Sequence, residues 1–351
     1  MEKPLVSIIC ITYNHEPFIR ETLEGFIKQK VNFPIEVLIN EDLSTDNTAS
    51  IVKEFEEKYP NIIKPIYQKE NQYSKGINPW FDILFPLAQG KYIAICEGDD
   101  YWVDENKLQK QVDFLENNKE YGLVFTELNF KYEDEGRVIE NIFKNNLYPL
   151  SLTFEEHLQK AGYLAPCTWV FKTELIRDLP KEKQATDTSF VLMLEIMLRT
   201  KIYFLSDNTT VYRFRSGSAS RPEEKKRTYL YRKGIFEVQL NYSNKYLQNN
   251  KPLQRKIKQR GYINLMFLAI SCKDKQFIKD MLLCFLSIKE NVYYGKKNNV
   301  LLFFDSIFSF IRMLLFILIT SLKTITKRIF AILKIRVNVV KTFDKILDKL
   351  I

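Results

Sequence analysis

Lys91-Tyr92-Ile93-Ala94-Ile95-Cys96-Glu97-Gly98-Asp99-Asp100-Tyr101-Trp102 is a short apolar run that ends abruptly in three carboxylates within four residues. A run of this kind reads as a buried strand, and the end of such a strand is where an open α/β sheet places its ligands. Like charges packed at a strand end repel one another unless a cation or a hydrogen-bonded ligand answers them. An acidic surface turn is the alternative. The strand before it, the glycine inside it and the aromatic pair after it favour a site.

Working outward, the first 130 residues alternate regularly. Strands are expected at 5–11, 35–39, 62–67, 92–96 and 122–129. Helices are expected at 16–29, 45–59, 79–87 and 105–117, with Ser44 as a plausible cap of the second. Strand–helix alternation with short connections predicts an α/β fold, a mostly parallel sheet flanked by helices. From 150 to 217 the alternation loosens: helices at 154–160 and 188–199 mix with strand-like 167–171, 202–205 and 209–214. Past Arg221 the strands stop, and 223–247, 253–271 and 276–289 read as an α-helical extension.

The chain has 351 residues, 46% hydrophobic and 27% charged, which is globular and long enough for two or three domains. Its net charge of +9 gathers at the end: from Ser321 onward eight basic residues face only Asp344 and Asp348. Residues 301–322 are very apolar, but Asp305 and Arg312 interrupt them, leaving ten uncharged residues at 313–322. A bilayer span needs roughly 20 apolar residues. Asp305, Ser309, Arg312, Thr320, Lys323, Lys327 and Lys334 share one helical face opposite a wide apolar arc. That pattern suits a helix lying in the interface of an anionic membrane, or one packed on the rest of the protein or in a dimer. Nucleic-acid binding would rest on net charge alone, without a basic, aromatic-studded face, and is not expected. Five irregularly spaced cysteines and two distant histidines make no zinc motif, and 5–11 is too short for a signal peptide. A reducing cytoplasm is the expected compartment.

Three strand ends carry the polar residues: Thr12-Tyr13-Asn14, Asn40-Glu41-Asp42-Leu43-Ser44-Thr45-Asp46 and Glu97-Gly98-Asp99-Asp100. No glycine-rich phosphate loop occurs. Carboxylates repel a diphosphate, so a divalent cation must bridge them, and hard oxygen ligands favour Mg²⁺ or Mn²⁺.

These motifs resemble the inverting family 2 glycosyltransferases of GT-A fold, a Rossmann-like architecture, of the bacterial surface-polysaccharide type. Val6-Ser7-Ile8-Ile9-Cys10-Ile11-Thr12-Tyr13-Asn14 resembles the family's first strand. Glu41 to Asp46 resembles its Asp-Asp-Gly-Ser-x-Asp segment, and Glu97-Gly98-Asp99 its Asp-x-Asp metal motif. Thr186-Asp187-Thr188 sits where the family carries a catalytic aspartate, and 211–218 resembles its closing Tyr-Arg-x-His segment. The resemblance covers roughly residues 4–220.

It implies a catalytic domain at 1–220, with a nucleotide-sugar half at 1–130 and an acceptor half at 131–220. A helical extension at 221–298 and membrane-interface helices at 299–351 would follow. Thr12, Tyr13 and Glu41 would line the base and ribose pocket, with Asn71 and Asn78 in a donor-binding loop. Asp99 would hold the metal, with Glu97 toward the metal or the ribose, Arg213 and Arg215 would face the diphosphate, and Asp187 would be the catalytic base, helix capping being its alternative role. Trp102 would stack on a sugar or pack under the loop. Three departures stand out. Glu97 replaces an aspartate, Leu43 replaces a glycine so that the turn is expected to differ, and Arg215 replaces a histidine. Arginine cannot ligate a cation but can grip a diphosphate, a structural salt bridge being its alternative role.

The expected activity is a metal-dependent, inverting, hexosyltransferase-type transfer from a nucleotide-diphosphate sugar, with UDP favoured, to a glycan or lipid-linked acceptor hydroxyl. Surface polysaccharide or lipid-linked oligosaccharide synthesis, peripheral on the inner face of the plasma membrane, would be its setting. A catalytically silent sugar-nucleotide-binding scaffold of a membrane assembly complex is the alternative.

Overall fold

β1 (Val6–Thr12), β2 (Ile35–Glu41), β3 (Ile63–Tyr67) and β4 (Tyr92–Ile95) lie parallel in the order β3-β2-β1-β4 in the computed structural model of the chain. The structure describes residues 2–161, 164–177, 179, 187–215, 224–281 and 284. Val6, Ile8, Ile9 and Cys10 of β1 and Ile93, Ala94 and Ile95 of β4 are fully buried. Both faces of these strands are therefore covered, which is why they read as unbroken apolar runs. α1 (Ile19–Ile27) packs through Ile19, Leu23 and Phe26, and α2 (Thr48–Lys58) through Val52 and Phe55, apolar positions three and four apart. The stretch expected to be helical at 79–87 is irregular: a π-helical Pro79–Leu84 gives way to a single 3₁₀ turn, Phe85–Leu87. Pro86 has no N–H to continue a regular helix there.

The remainder of the sheet is mixed. β5 (Tyr101–Trp102) is short, and α3 (Lys107–Asn117) leads into the long β6 (Tyr121–Tyr132), followed by β7 (Arg137–Ile139). β8 (Val170–Lys172) joins β4 to β6, antiparallel to both, and β9 (Lys201–Phe214) runs parallel to β6. β5 closes the row antiparallel to β9, so the chain just past Asp100 is clamped against Thr210 and Val211. The two strands expected at 202–205 and 209–214 are one. The register jumps from Thr126↔Leu205 to Glu127↔Asn208, so Ser206 and Asp207 bulge without partners on β6.

α4 (Phe154–Lys160), α5 (Thr188–Met197), α6 (Lys225–Tyr246) and α7 (Lys251–Ser271) complete the described elements. Phe154, Leu158, Phe190, Leu194, Tyr242 and Ile257 bury one another where these four helices meet. Met1–Lys273 forms one compact unit, and Asp274–Ile351 belongs to a second. The interface helices expected at 299–351, and most of the helix at 276–289, lie outside the described residues. Among the described residues no helix is long and apolar enough to cross a membrane. All five cysteines are free.

Candidate active site

The turn that follows β4 is built by close approach. A Cβ on Gly98 would lie 2.7 Å from Thr12 Oγ1 and 2.9 Å from His15 Nδ1, so only glycine lets this turn rest on the end of β1. The Gly98 N–H donates to Ile11 O at 2.9 Å, and Thr22 Oγ1 of α1 donates to Asp100 O at 2.6 Å. Four polar atoms in and around the turn are buried without a hydrogen-bond partner among the described residues: Thr12 Oγ1, His15 Nδ1, Glu97 Oε2 and Asp100 Oδ2. Buried polar atoms are almost always paired, so such a cluster marks a place where a ligand completes the bonding.

The charges are arranged in opposite states. Arg215 Nε donates to Asp99 Oδ2 at 3.0 Å, and the same guanidinium lies 2.8 Å from His15 Nε2. Burial alone would raise the Asp99 carboxyl, but His15 and Arg215 together hold it below the ordinary value. Burial, then the Asp99 charge, push the Glu97 carboxyl up to about 8, with a smaller contribution from Asp187. Asp187 is therefore within electrostatic reach of the Glu97 carboxyl. Asp100 is also driven upward, by burial and then by Asp99 and Glu97, while its Oδ1 accepts the Arg213 N–H at 2.8 Å.

The residues expected from the sequence fall into three groups. Thr12, Glu97, Asp99 and Arg215 converge on the turn, with Glu41 beside Thr12 as its register partner on β2. Tyr13, at the strand end, is 43% exposed. Glu41 is buried and accepts the Ser44 N–H at 2.9 Å, fixing the turn that follows it. In that turn Leu43 adopts φ 60°, so the left-handed conformation a glycine would supply is kept rather than lost.

A second group holds the framework. Asp42 accepts the Gln72 and Tyr73 N–H groups at 2.7 and 3.0 Å. Asn71 donates to Asp42 O, and its own side-chain oxygen accepts the Ser74 N–H. Asp46 accepts the N–H groups of Thr48 and Glu16, tying α2 to the loop after β1. The Arg213 side chain is 1% exposed and is held by Glu21, Glu133 and the Asp99 carbonyl. Of the two arginines, Arg215 is the one with its side chain partly open, at 25%. Trp102 packs under the loop: it is 4% exposed, and its Nε1 donates to Cys167 O at 2.9 Å.

The third group surrounds α5. Asp187 is its N-cap, accepting the Phe190 N–H at 3.0 Å and the Ser189 hydroxyl at 2.6 Å on Oδ1. Asn78 caps the π-helical segment through Trp80 and Phe81, and its Nδ2 donates to Thr188 Oγ1 at 2.8 Å. The loop before β4 and the N-terminus of α5 are thereby joined across 110 positions of sequence. Tyr231 of α6 donates to Asp187 Oδ2 at 2.5 Å. Sequence reading assigned no role to His15 or Tyr231. One stands after a strand end with no partner motif nearby, and the other is one tyrosine among several in a lysine-rich helix.

Glu97 and Asp99 offer hard oxygen donors, and Glu97 Oε2 is a buried acceptor with no partner among the described residues, which fits Mg²⁺ or Mn²⁺. Among the described residues no third His, Cys, Asp or Glu completes a metal cluster. A cation's remaining positions would fall to a ligand's own oxygens and to water.

The family model described as "Glycosyl transferase family 2" matches residues 7–179, which hold β2 to β8 and all of β1 but its first residue. The chain is 43% identical over 129 residues to the uncharacterized protein Rv1520 of Mycobacterium tuberculosis, covering 37% of this chain and 36% of that one. It is 33% identical over 141 residues to the Escherichia coli UDP-Glc:alpha-D-GlcNAc-diphosphoundecaprenol beta-1,3-glucosyltransferase WfaP, covering 40% of this chain and 51% of that one. These alignments span about a third to a half of the relatives' length. Among solved structures, Staphylococcus aureus TarS 1–349 in complex with UDP-GlcNAc superposes with a TM-score of 0.52 at 23% identity, over 76% of this chain and 72% of that one, a likeness of fold. Residues 7–179 are a family 2 glycosyltransferase domain of GT-A fold.

Proposed function

We propose that this chain, on the strength of its family 2 domain, is a metal-dependent, inverting glycosyltransferase that moves a sugar from a nucleoside diphosphate to an acceptor hydroxyl. The observation that carries the reading is the pairing at the end of β4. A carboxylate couple with an orphaned oxygen sits against the Arg215 guanidinium, within electrostatic reach of the α5 N-cap, Asp187.

Thr12 and Glu41, at neighbouring strand ends, are assigned to the nucleoside, with Tyr13 as the exposed ring beside them. Arg215 faces the diphosphate and offsets its charge as the nucleotide departs, where a fixed donor is worth most. A divalent cation on Glu97 and Asp99 would supply further charge neutralisation to the same leaving group. Asn78, through Thr188, holds the acceptor side in register with the donor side. Asp187 then accepts the proton of the acceptor hydroxyl. The acceptor oxygen forms its bond to the anomeric carbon as the bond to the diphosphate oxygen breaks, and the electron pair leaves with the nucleotide. A single in-line displacement of this kind inverts the anomeric centre.

The donor named for the E. coli relative, UDP-glucose, supports a UDP-sugar here, and its lipid diphosphate-linked acceptor supports lipid-linked oligosaccharide or surface-polysaccharide synthesis. The apolar, basic 299–351 segment is assigned to the membrane surface where such an acceptor resides. Melting curves with UDP-glucose, UDP-N-acetylglucosamine and GDP-mannose, each with and without Mn²⁺, test the reading. A true donor at 100 times its Kd adds about 2.7 kcal/mol of stability, and EDTA should remove most of the shift. A melting temperature that no nucleotide sugar moves would contradict it.

A further inference from the structure

Asp187 meets more donors than a helix cap requires. Its Oδ1 is filled by the Phe190 N–H and the Ser189 hydroxyl, which use both lone pairs of that oxygen. Oδ2 carries the Tyr231 phenol at 2.5 Å. Among the described residues, the place left for an acceptor hydroxyl is therefore the second lone pair of Oδ2, whose direction Tyr231 fixes. We propose that Tyr231, from the helical extension, is a positioning residue for the transfer step, aiming Oδ2 of Asp187 at the acceptor oxygen. The proposal rests on the reading of Asp187 as the base.

The docking of α6 does not depend on this contact. Tyr242 donates to Glu195 Oε1 of α5 at 2.6 Å, and Gln239 Nε2 donates to Leu158 O of α4 at 2.6 Å. Phe154, Phe190 and Leu194 close the apolar interface around Tyr242. Eleven positions separate the two tyrosines, three turns of helix, so one face of α6 meets both the N-cap carboxylate of α5 and a buried carboxylate two turns further on. Removing the Tyr231 hydroxyl should thus leave the helix seated while freeing Oδ2 to turn. A reacting atom misplaced by about 1 Å costs on the order of 10²-fold in rate.

Turnover is read as nucleoside diphosphate released by the full-length protein from the nucleotide sugar that stabilises it most, with water as acceptor. Tyr231→Phe is expected to lower kcat by about 10- to 100-fold with donor KM unchanged within about twofold. Tyr242→Phe removes a bond of the same kind between the same helices and should lower the melting temperature with kcat unaltered. Adding Tyr231→Phe to Asp187→Asn should lower turnover no further, since the phenol acts through the carboxylate. Wild-type kcat in Tyr231→Phe beside an inactive Asp187→Asn overturns the role of Tyr231 and leaves the base standing. Full turnover in Asp187→Asn removes the base, and the positioning role with it.

Discussion

Arg215 Nε lies 3.0 Å from Asp99 Oδ2, joining the end of β9 to the turn after β4 across 116 positions of sequence. The same guanidinium reaches His15, so one planar group holds two strand ends together. Arg215→Gln should lower kcat/KM by about 10²-fold, since on the proposed reading it removes a fixed charge from the side of the leaving group. Arg215→Lys should recover little, because a point charge cannot serve Asp99, His15 and a diphosphate at once. Steady-state kinetics on both variants decide it, and wild-type kcat/KM in Arg215→Gln would assign the pair to structure alone.

Leu43 holds φ 60° while 46% exposed, so it pays backbone strain with little packing in return. A left-handed conformation costs a non-glycine residue about 1–2 kcal/mol. Leu43→Gly should therefore stabilise the protein by about 1 kcal/mol in urea titrations, after the entropy a glycine adds to the unfolded chain. A loss of stability would mean that the leucine side chain is held by contacts worth more than the strain.

His157, on α4, is 1% exposed with neither ring nitrogen paired among the described residues, and burial pushes its imidazole down to about 3. Between pH 6.5 and about 3 the unfolded chain binds a proton that the folded chain refuses. Stability should thus fall by about 1.4 kcal/mol per pH unit through that window and be untouched by this group above it. His157→Leu keeps the apolar packing against Phe190 and should flatten the acid limb of a melting-temperature profile. An unchanged acid limb would place the sensitivity elsewhere.

The parallel part of the sheet was legible because β1 and β4 are covered on both faces: Val6 to Cys10 and Ile93 to Ile95 read as buried β-structure, with Thr12, Glu41, Glu97 and Asp99 at or just past the strand ends. Less legible was anything set by long-range closure. The bulge at Ser206-Asp207 looked like a break between two strands, because local pattern does not carry register. Leu43 hid a glycine-like conformation behind an apolar side chain. Arg213 and Arg215 look alike in sequence, yet Arg213, still within β9, is buried under the turn against Glu21, Glu133 and the Asp99 carbonyl, while Arg215, just past the strand, reaches the Asp99 carboxylate and His15. Tyr231 reaches Asp187 only because α6 folds back over α5.

Gly98 offers a stringent check on the geometry of the turn. A methyl at this position would stand 2.7 Å from Thr12 Oγ1 and 2.9 Å from His15 Nδ1. Gly98→Ala should abolish donor-induced stabilisation and cost about 1–3 kcal/mol of fold stability, the usual range for overpacking. Donor binding at wild-type affinity would show that the turn does not rest on β1.

Turnover of Asp187→Asn, measured with the donor KM, bears most directly on the assignment of a general base. Asparagine caps a helix as well as aspartate, so the variant should fold normally and keep its α5 N-terminus. Loss of the base should lower kcat by about 10² to 10⁴ with donor KM unchanged. Turnover near that of the wild type would contradict the account and leave Asp187 as the cap of α5.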